Sequence, residues 1–173
     1  MGNIFLVGMP GAGKTTVGRM LGKRLNMAFL DCDKELTSRT GVPITTIFEI
    51  EGEAGFRARE SALLAELVEK DGLVLATGGG VVLVECNRRL LKAHGTVIYL
   101  HATLDALWQR TRHDSNRPLL RTENPRATLE CLLQVRDPFY REVANLIVAT
   151  GTQSVARLSA DIIKRLGAPQ TAS

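Results

Sequence analysis

The sequence lacks the features that mark membrane proteins, secreted proteins and small proteins held together by disulfides or zinc. None of its apolar runs approaches the roughly 20 residues of a membrane-spanning helix. Its N-terminal segment has neither the basic start nor the small-residue cleavage site of a secretory signal. The three cysteines are scattered without a CxxC pair, which argues against a disulfide framework or a zinc site. We therefore expect a cytoplasmic protein with reduced thiols and no membrane segment.

The chain also lacks a concentrated basic segment, although its net charge is +4. No Lys/Arg-rich run of about five residues occurs, so no stretch is typical of a nucleic-acid-binding arm. Mild basicity also suits small anionic ligands that are held by a few arginines. We expect small anions, and not nucleic acid, as partners.

Repeats, low-complexity segments and linkers are absent from the 173 residues, so we expect a single domain over residues 1–173. Short apolar runs alternate with helical patterns, which predicts an α/β fold with a parallel sheet covered on both faces. The predicted strands are 3–7, 28–30, 73–76, 96–100 and 146–149. The predicted helices are 14–25, 53–70, 85–94, 103–112, 125 to about 135, and 154–166. Functional residues should follow the strands, because such sheets bind ligands beyond their carboxyl ends.

The strongest motif is GMPGAGKT, residues 8–15, which we call the phosphate loop. It follows a predicted strand, opens a predicted helix and matches G-x-x-x-x-G-K-[ST], in which backbone N–H groups and a helix N-terminus hold phosphates. Lys14 is expected to reach the terminal phosphates, and the Thr15 hydroxyl is expected to coordinate Mg²⁺. The motif predicts a nucleoside triphosphate site formed by Gly11, Ala12, Gly13, Lys14, Thr15 and Thr16.

The third predicted strand lacks the aspartate that usually completes such a site, since Thr77 and three glycines follow it. Asp31 and Asp33, at the end of the second predicted strand, are the nearest candidates for the metal role. Residues i and i+2 of an extended segment point to the same side, so both carboxylates could face one cleft. If one accompanies Mg²⁺, the other is free to accept a proton from the acceptor. The alternative for either aspartate is an N-cap of a following helix.

Three further features describe an acceptor pocket. Glu53 and Glu60 could orient Arg57 on a predicted helix, and a fixed guanidinium can clamp a carboxylate; a solvated ion pair is the alternative. The stretch TGGG, residues 77–80, either lets the backbone approach a ligand closely or is a plain flexible turn. Arg136 precedes Asp137 at a predicted helix boundary, where a lone arginine is more often a surface residue.

The polar segment 110–126 contains five arginines and no glycine. An arginine-bearing lid over the triphosphate would exclude water and neutralise the transferring phosphoryl group. We expect this lid over about residues 112–124, with Arg117 as its arginine. A solvated basic loop is the alternative.

The motifs favour a small-molecule kinase over other nucleotide-binding proteins. The N-K-x-D signature of GTPases is absent, and the chain is short for an AAA-type motor. The residues alone indicate a kinase of a small hydroxylated acid. A gluconate-type or nucleoside monophosphate kinase, or a non-catalytic nucleotide-binding module, remain the alternatives.

Over about residues 3–166, the chain resembles the shikimate kinase family. The resemblance rests on the order and spacing of LDCD, GFRARE, TGGG, NRPLL and Arg136 before Pro138 and Tyr140. The resemblance implies a three-layer α/β/α P-loop kinase fold, with a five-stranded parallel sheet in the order 2-3-1-4-5 and a mobile lid. It implies a monomer that uses ATP and Mg²⁺ to convert shikimate to shikimate 3-phosphate, on the pathway to chorismate and the aromatic amino acids.

The resemblance also implies roles for residues on the acceptor side, with a shikimate-binding helical region over about 33–61. Asp33 would hold the hydroxyls of shikimate and act as base or orienter for the attacking one. Arg57 and Arg136 would hold its carboxylate. The glycines would contribute backbone, with a contact from Gly79 and neighbouring positions at Gly78 and Gly80.

On the nucleotide side, the resemblance implies that Lys14 and Arg117 stabilise the transferring phosphoryl group. Thr15 would bind Mg²⁺ directly and Asp31 would support it. Arg110 is implied to lie near adenine. Gln153 aligns where many family members carry an arginine in the adenine loop, so its contact is a departure from the family pattern.

Overall fold

A five-stranded parallel sheet forms the centre of the protein, in the predicted order 2-3-1-4-5. The computed structural model describes residues 2–114 and 118–167. The central strand pairs with its neighbours on both sides, so that Ile4 lies opposite Val74 and Thr96. The strands are β1 (Asn3–Val7), β2 (Ala28–Asp31), β3 (Leu73–Ala76), β4 (Gly95–His101) and β5 (Leu146–Ala149). Every residue of β1 and β3 is buried, because helices cover both faces of the sheet.

Helices cover this sheet as the alternating pattern predicted. Helix α1 packs against α7, while α4 and α6 pack against each other and against β4. In the described part of the chain, no helix is long and apolar enough to cross a membrane. The helices are α1 (Lys14–Leu25), α2 (Cys32–Thr40), α3 (Ile44–Leu67), α4 (Glu85–His94), α5 (Leu104–Thr111), α6 (Pro125–Val143) and α7 (Val155–Leu166), with single 3₁₀ turns at Val81–Leu83 and Pro118–Leu120.

The residue pattern alone did not predict helix α2, although it falls within the helical region that the resemblance implied over about 33–61. Asp31 caps the helix, since its Oδ1 accepts the backbone N–H groups of Asp33 and Lys34 at 3.0 and 3.1 Å. Asp33 therefore lies in the first helical turn and not on an extended segment. The two carboxylates still line one cavity, as predicted. The N-cap alternative is correct for Asp31. Cys32, between the two aspartates, points into the core and is 4% exposed.

Two other helices are longer than predicted. Helix α3 starts at Ile44, well before residue 53, and Gly52 interrupts it with φ 70° and ψ −177°, a left-handed conformation that glycine adopts readily. Helix α6 continues through Pro138 to Val143. Proline removes one backbone hydrogen bond, but the buried side chains of Tyr140 and Val143 hold the last turns against the sheet. Arg136 consequently lies inside a helix and not at a boundary.

Candidate active site

A cavity of about 740 Å³ opens beyond the carboxyl ends of β1, β2 and β3. This is the edge at which parallel α/β sheets bind ligands. Its walls come from the phosphate loop, the start of α2, both halves of α3, the glycine turn (residues 78–80), α5, the Pro118–Leu120 turn and α6. The predicted site residues that line it are Gly11, Gly13, Lys14, Thr15, Thr16, Asp31, Asp33, Arg57, Gly78, Gly79, Gly80, Arg110 and Arg136.

The phosphate loop takes the shape that its motif predicts. Gly11 and Gly13 have φ of 86° and 95°, a region that side chains disfavour. The Lys14 ammonium donates to the carbonyls of Gly8 and Met9 at 2.6 and 3.0 Å, which holds it over the loop. Ala12 is buried behind the loop and does not line the cavity. The loop thus presents backbone N–H groups and one cation to the cavity at the start of α1.

Thr15 and Asp31 meet beside this loop. The Thr15 hydroxyl donates to Asp31 Oδ2 at 2.5 Å, while the other carboxylate oxygen caps α2. A hydroxyl and a carboxylate are oxygen ligands, which Mg²⁺ prefers. Among the described residues, no group of three or more His, Cys, Asp or Glu could hold a metal ion. The pair therefore fits a Mg²⁺ ion that takes its other ligands from phosphates and water.

At the other end of the cavity, Arg57 is held by two glutamates, as their spacing predicted. Its Nη1 donates to Glu60 Oε1 at 2.9 Å, and its Nη2 donates to Glu53 Oε1 at 3.5 Å. The Glu60 side chain is only 3% exposed, and that of Arg57 is 14% exposed, so the pair is not a solvated one. Burial raises the pKa of the Glu60 carboxyl, and the Arg57 charge opposes that rise. A guanidinium fixed in this way is suited to bind a carboxylate.

The glycine turn is the point where the acceptor residues converge. A Cβ on Gly78 would lie 2.6 Å from Glu60 Oε2 and 3.2 Å from Asp33 Oδ1, and a Cβ on Gly80 would overlap the Arg57 guanidinium. A Cβ on Gly79 would lie 3.1 Å from Arg136 Nη1. The turn therefore needs glycine because carboxylates from α3 and α2 and guanidinium groups from α3 and α6 lie against its backbone.

Arg136 is a buried cation, with 2% of its surface exposed. Its Nε and Nη2 have no hydrogen-bond partner among the described residues. Burying a guanidinium with unpartnered N–H groups is costly unless an anion pairs with it. A lone arginine at a helix boundary suggested a surface residue, and that expectation was wrong. Arg136 lies inside α6 and is buried.

Of the other predicted nucleotide residues, Arg110 lines the cavity and Gln153 does not. Gln153 lies in the loop after β5, exposed and away from the cavity lining. Arg117 lies outside the described residues. Arg110 Nη1 donates to the Gly11 carbonyl at 2.9 Å, so this side chain ties α5 to the phosphate loop.

Sequence reasoning missed part of the cavity wall. Phe48 and Phe56, whose rings lie 4.7 Å apart, flank the acceptor end. Phe48 comes from the first half of α3, which the residue pattern alone did not predict. The signal for that half was Pro43 followed by apolar residues at helical spacing, since proline is favoured near helix starts. The Pro118–Leu120 turn, part of the expected lid, closes another side of the cavity.

Comparisons with known proteins agree on one family. The family model described as shikimate kinase matches residues 10–167. A shikimate kinase from Nitrosospira multiformis is 57% identical over 165 residues, which cover 95% of this chain and 85% of that protein. A shikimate kinase from Nitrosococcus oceani is 54% identical over 176 residues, with coverage of 99% and 93%.

Solved structures extend this agreement to the fold. A shikimate kinase from Acinetobacter baumannii in complex with shikimate has a TM-score of 0.94 and 48% identity, with coverage of 96% of this chain and 93% of that one. A gluconokinase from Sinorhizobium meliloti, at 19% identity and a TM-score of 0.62 with coverage of 95% and 93%, shares the fold alone.

Proposed function

The chain belongs to the shikimate kinase family of ATP-dependent kinases, and from that premise we propose that it phosphorylates the 3-hydroxyl of shikimate, giving shikimate 3-phosphate and ADP. The observation that carries this proposal is the convergence of Asp33, Arg57 and Arg136 around the glycine turn, in the same cavity as the phosphate loop. One carboxylate and two arginines suit a small acid with hydroxyl groups. This reaction belongs to the pathway to chorismate and the aromatic amino acids.

On the acceptor side, Arg57 and Arg136 hold the carboxylate of shikimate. Asp33, on the first turn of α2, holds its hydroxyls and orients the attacking one toward the phosphate loop. A loose phosphoryl transfer demands positioning more than proton removal, so orientation is the larger part of the role of Asp33. Gly79 adds a backbone contact.

On the nucleotide side, the phosphate loop holds the phosphates of ATP, and Lys14 neutralises charge on the transferring group. Arg117, outside the described residues, joins Lys14 in this role. Thr15 and Asp31 hold Mg²⁺, which when bound neutralises the β- and γ-phosphates. Arg110 contacts the adenosine end, and a lid over about residues 112–124 excludes water. The protein acts as a monomer in the cytoplasm.

The test is an acceptor panel with Mg-ATP, with shikimate, gluconate, AMP or no acceptor, and ADP release as the measurement. We expect ADP release that depends on shikimate, with shikimate 3-phosphate as the phosphorylated product. Turnover on gluconate but not on shikimate would indicate the gluconate-type alternative. Tight ATP binding without turnover on any acceptor would indicate a non-catalytic module.

A further inference from the structure

Behind the acceptor end of the cavity lies Tyr140, which does not itself line the cavity. We propose that Tyr140 is a positioning residue: its hydroxyl holds the backbone of the glycine turn and, with it, aligns Arg136 and the N–H of Gly80 toward the acid substrate. This inference rests on the proposed function. Its structural basis is one long-range hydrogen bond and the packing that fixes it.

The hydrogen bond joins two parts of the chain that are 61 positions apart. The Tyr140 hydroxyl donates to the Gly79 carbonyl at 2.5 Å, and Tyr140 is fully buried, at 0% exposure. The turn has no side chains of its own to anchor it, and glycine backbone is conformationally free. Because the peptide unit is planar and trans, holding the Gly79 carbonyl also directs the Gly80 N–H to the opposite side. A phenol outside the cavity thus sets the direction of a backbone donor in its wall.

Arg136 shares this arrangement because it lies one helical turn before Tyr140 on α6, and residues four apart lie on the same helix face. Its Nη1 lies against the turn, 3.1 Å from where a Cβ on Gly79 would be. Burial raises the pKa of Tyr140 to about 12, with the Arg136 charge opposing the rise. The phenol therefore stays protonated and remains a donor at neutral pH. Tyr140 contacts the turn and lies beside the arginine, so it can hold both in one geometry.

The ring of Tyr140 is itself fixed from the sheet. It packs on Tyr99 of β4, with ring centroids 4.9 Å apart. Tyr99 is 1% exposed, and its hydroxyl donates to Asp137 Oδ1 at 2.6 Å, not to the glycine turn. Tyr99 is therefore a matched control: the same side chain, equally buried and in contact with Tyr140, but with its hydroxyl directed elsewhere.

The experiment compares Tyr140→Phe with Tyr99→Phe in the full-length protein, using steady-state kinetics with shikimate and ATP varied separately. Both changes remove one oxygen and keep the ring. We expect Tyr140→Phe to raise the KM for shikimate by about tenfold, because the Gly79 carbonyl loses its buried donor. The kcat and the KM for ATP should stay within about twofold of wild type. Tyr99→Phe should leave all three constants within the same range.

A second variant tests the position of the turn without changing Tyr140, so the test does not depend on whether Tyr140→Phe folds. Gly79→Ala keeps Tyr140 but displaces the turn from Arg136 Nη1, which would lie 3.1 Å from the new Cβ, and from Pro10 Cδ of the phosphate loop, which would lie 3.0 Å from it. The KM for shikimate should therefore rise in this variant too. An unchanged KM for shikimate in Tyr140→Phe or Gly79→Ala, or an equal rise in Tyr99→Phe, would overturn the positioning role. A wild-type enzyme that does not use shikimate would overturn the proposed function instead.

Discussion

Replacing Arg57 with alanine removes a cation that we expect to bind the substrate and that also pairs with the buried carboxylate of Glu60. Its guanidinium lies 2.9 Å from Glu60, 3.5 Å from Glu53 and 5.1 Å from the centre of the Phe56 ring. It also lies against Gly80, at the acceptor end of the cavity. The substitution should therefore weaken substrate binding and destabilise the fold, and the two effects can be measured separately.

The effect on substrate follows from the loss of charge-assisted hydrogen bonds to its carboxylate. Such bonds contribute about 1.5–3 kcal/mol, and about 1.4 kcal/mol corresponds to a tenfold change in affinity. We expect the KM for shikimate to rise by about 10- to 150-fold. The KM for ATP should stay close to wild type, because the partners of Arg57 lie on α3 and not on the phosphate loop.

The effect on stability comes from Glu60, which is left without its donor. Breaking a buried ion pair costs about 3–5 kcal/mol while the remaining charge stays ionised. Burial already raises the pKa of Glu60 above its ordinary value of 4.5, and losing the Arg57 charge raises it further. A group whose pKa is raised by folding contributes stability that is present below its unfolded pKa and lost as pH rises through the folded one. The Tm deficit of Arg57→Ala should therefore be small near pH 4.5 and should grow toward pH 8.

The decisive variant is the double substitution Arg57→Ala/Glu60→Gln. It removes the unpaired charge but does not restore the guanidinium, so the Tm should recover at neutral pH while the KM for shikimate stays high. Thermal unfolding from pH 4.5 to 8 and steady-state kinetics provide the two measurements. Recovery of the KM for shikimate in the double variant, or equal losses for shikimate and ATP in the single one, would refute the assignment of Arg57 to the substrate carboxylate.

Two further substitutions separate the two aspartates. Asp33→Asn should lower kcat by about 10²–10⁴-fold while calorimetry still detects ATP binding, and an unchanged rate would make Asp33 structural. Asp31→Asn keeps an oxygen that can cap α2, so the Tm should change little, whereas the Mg²⁺ concentration for half-maximal activity should rise by about 10- to 100-fold. An unaltered Mg²⁺ requirement in a well-folded Asp31→Asn variant would contradict the metal role.

The sheet and the phosphate loop could be predicted from sequence because their signals are local. Continuous apolar runs marked the strands, and the glycines and Lys14 of the loop lie within eight contiguous positions. Only the resemblance indicated a helical region at α2, because the amphipathic pattern of this helix is weak: among its nine residues, only Cys32 and Leu36 are buried. Its stability depends on the Asp31 cap and on packing against α3. The extension of α6 through Pro138 was missed for a related reason, since burial of Tyr140 outweighed the local preference of proline.

The sequence by itself determined the phosphate loop, since glycines that adopt positive φ just before a helix N-terminus form a phosphate-binding loop. Resemblance to a family indicated which residues bind the acceptor, but not how these residues are arranged relative to one another. Tertiary structure alone decided that Asp33, Arg57 and Arg136, carried by three different helices, lie against one glycine turn. It also placed Tyr140 beneath that turn. The physical reason is that contacts between distant positions depend on how the helices pack on the sheet, which no short stretch of sequence encodes.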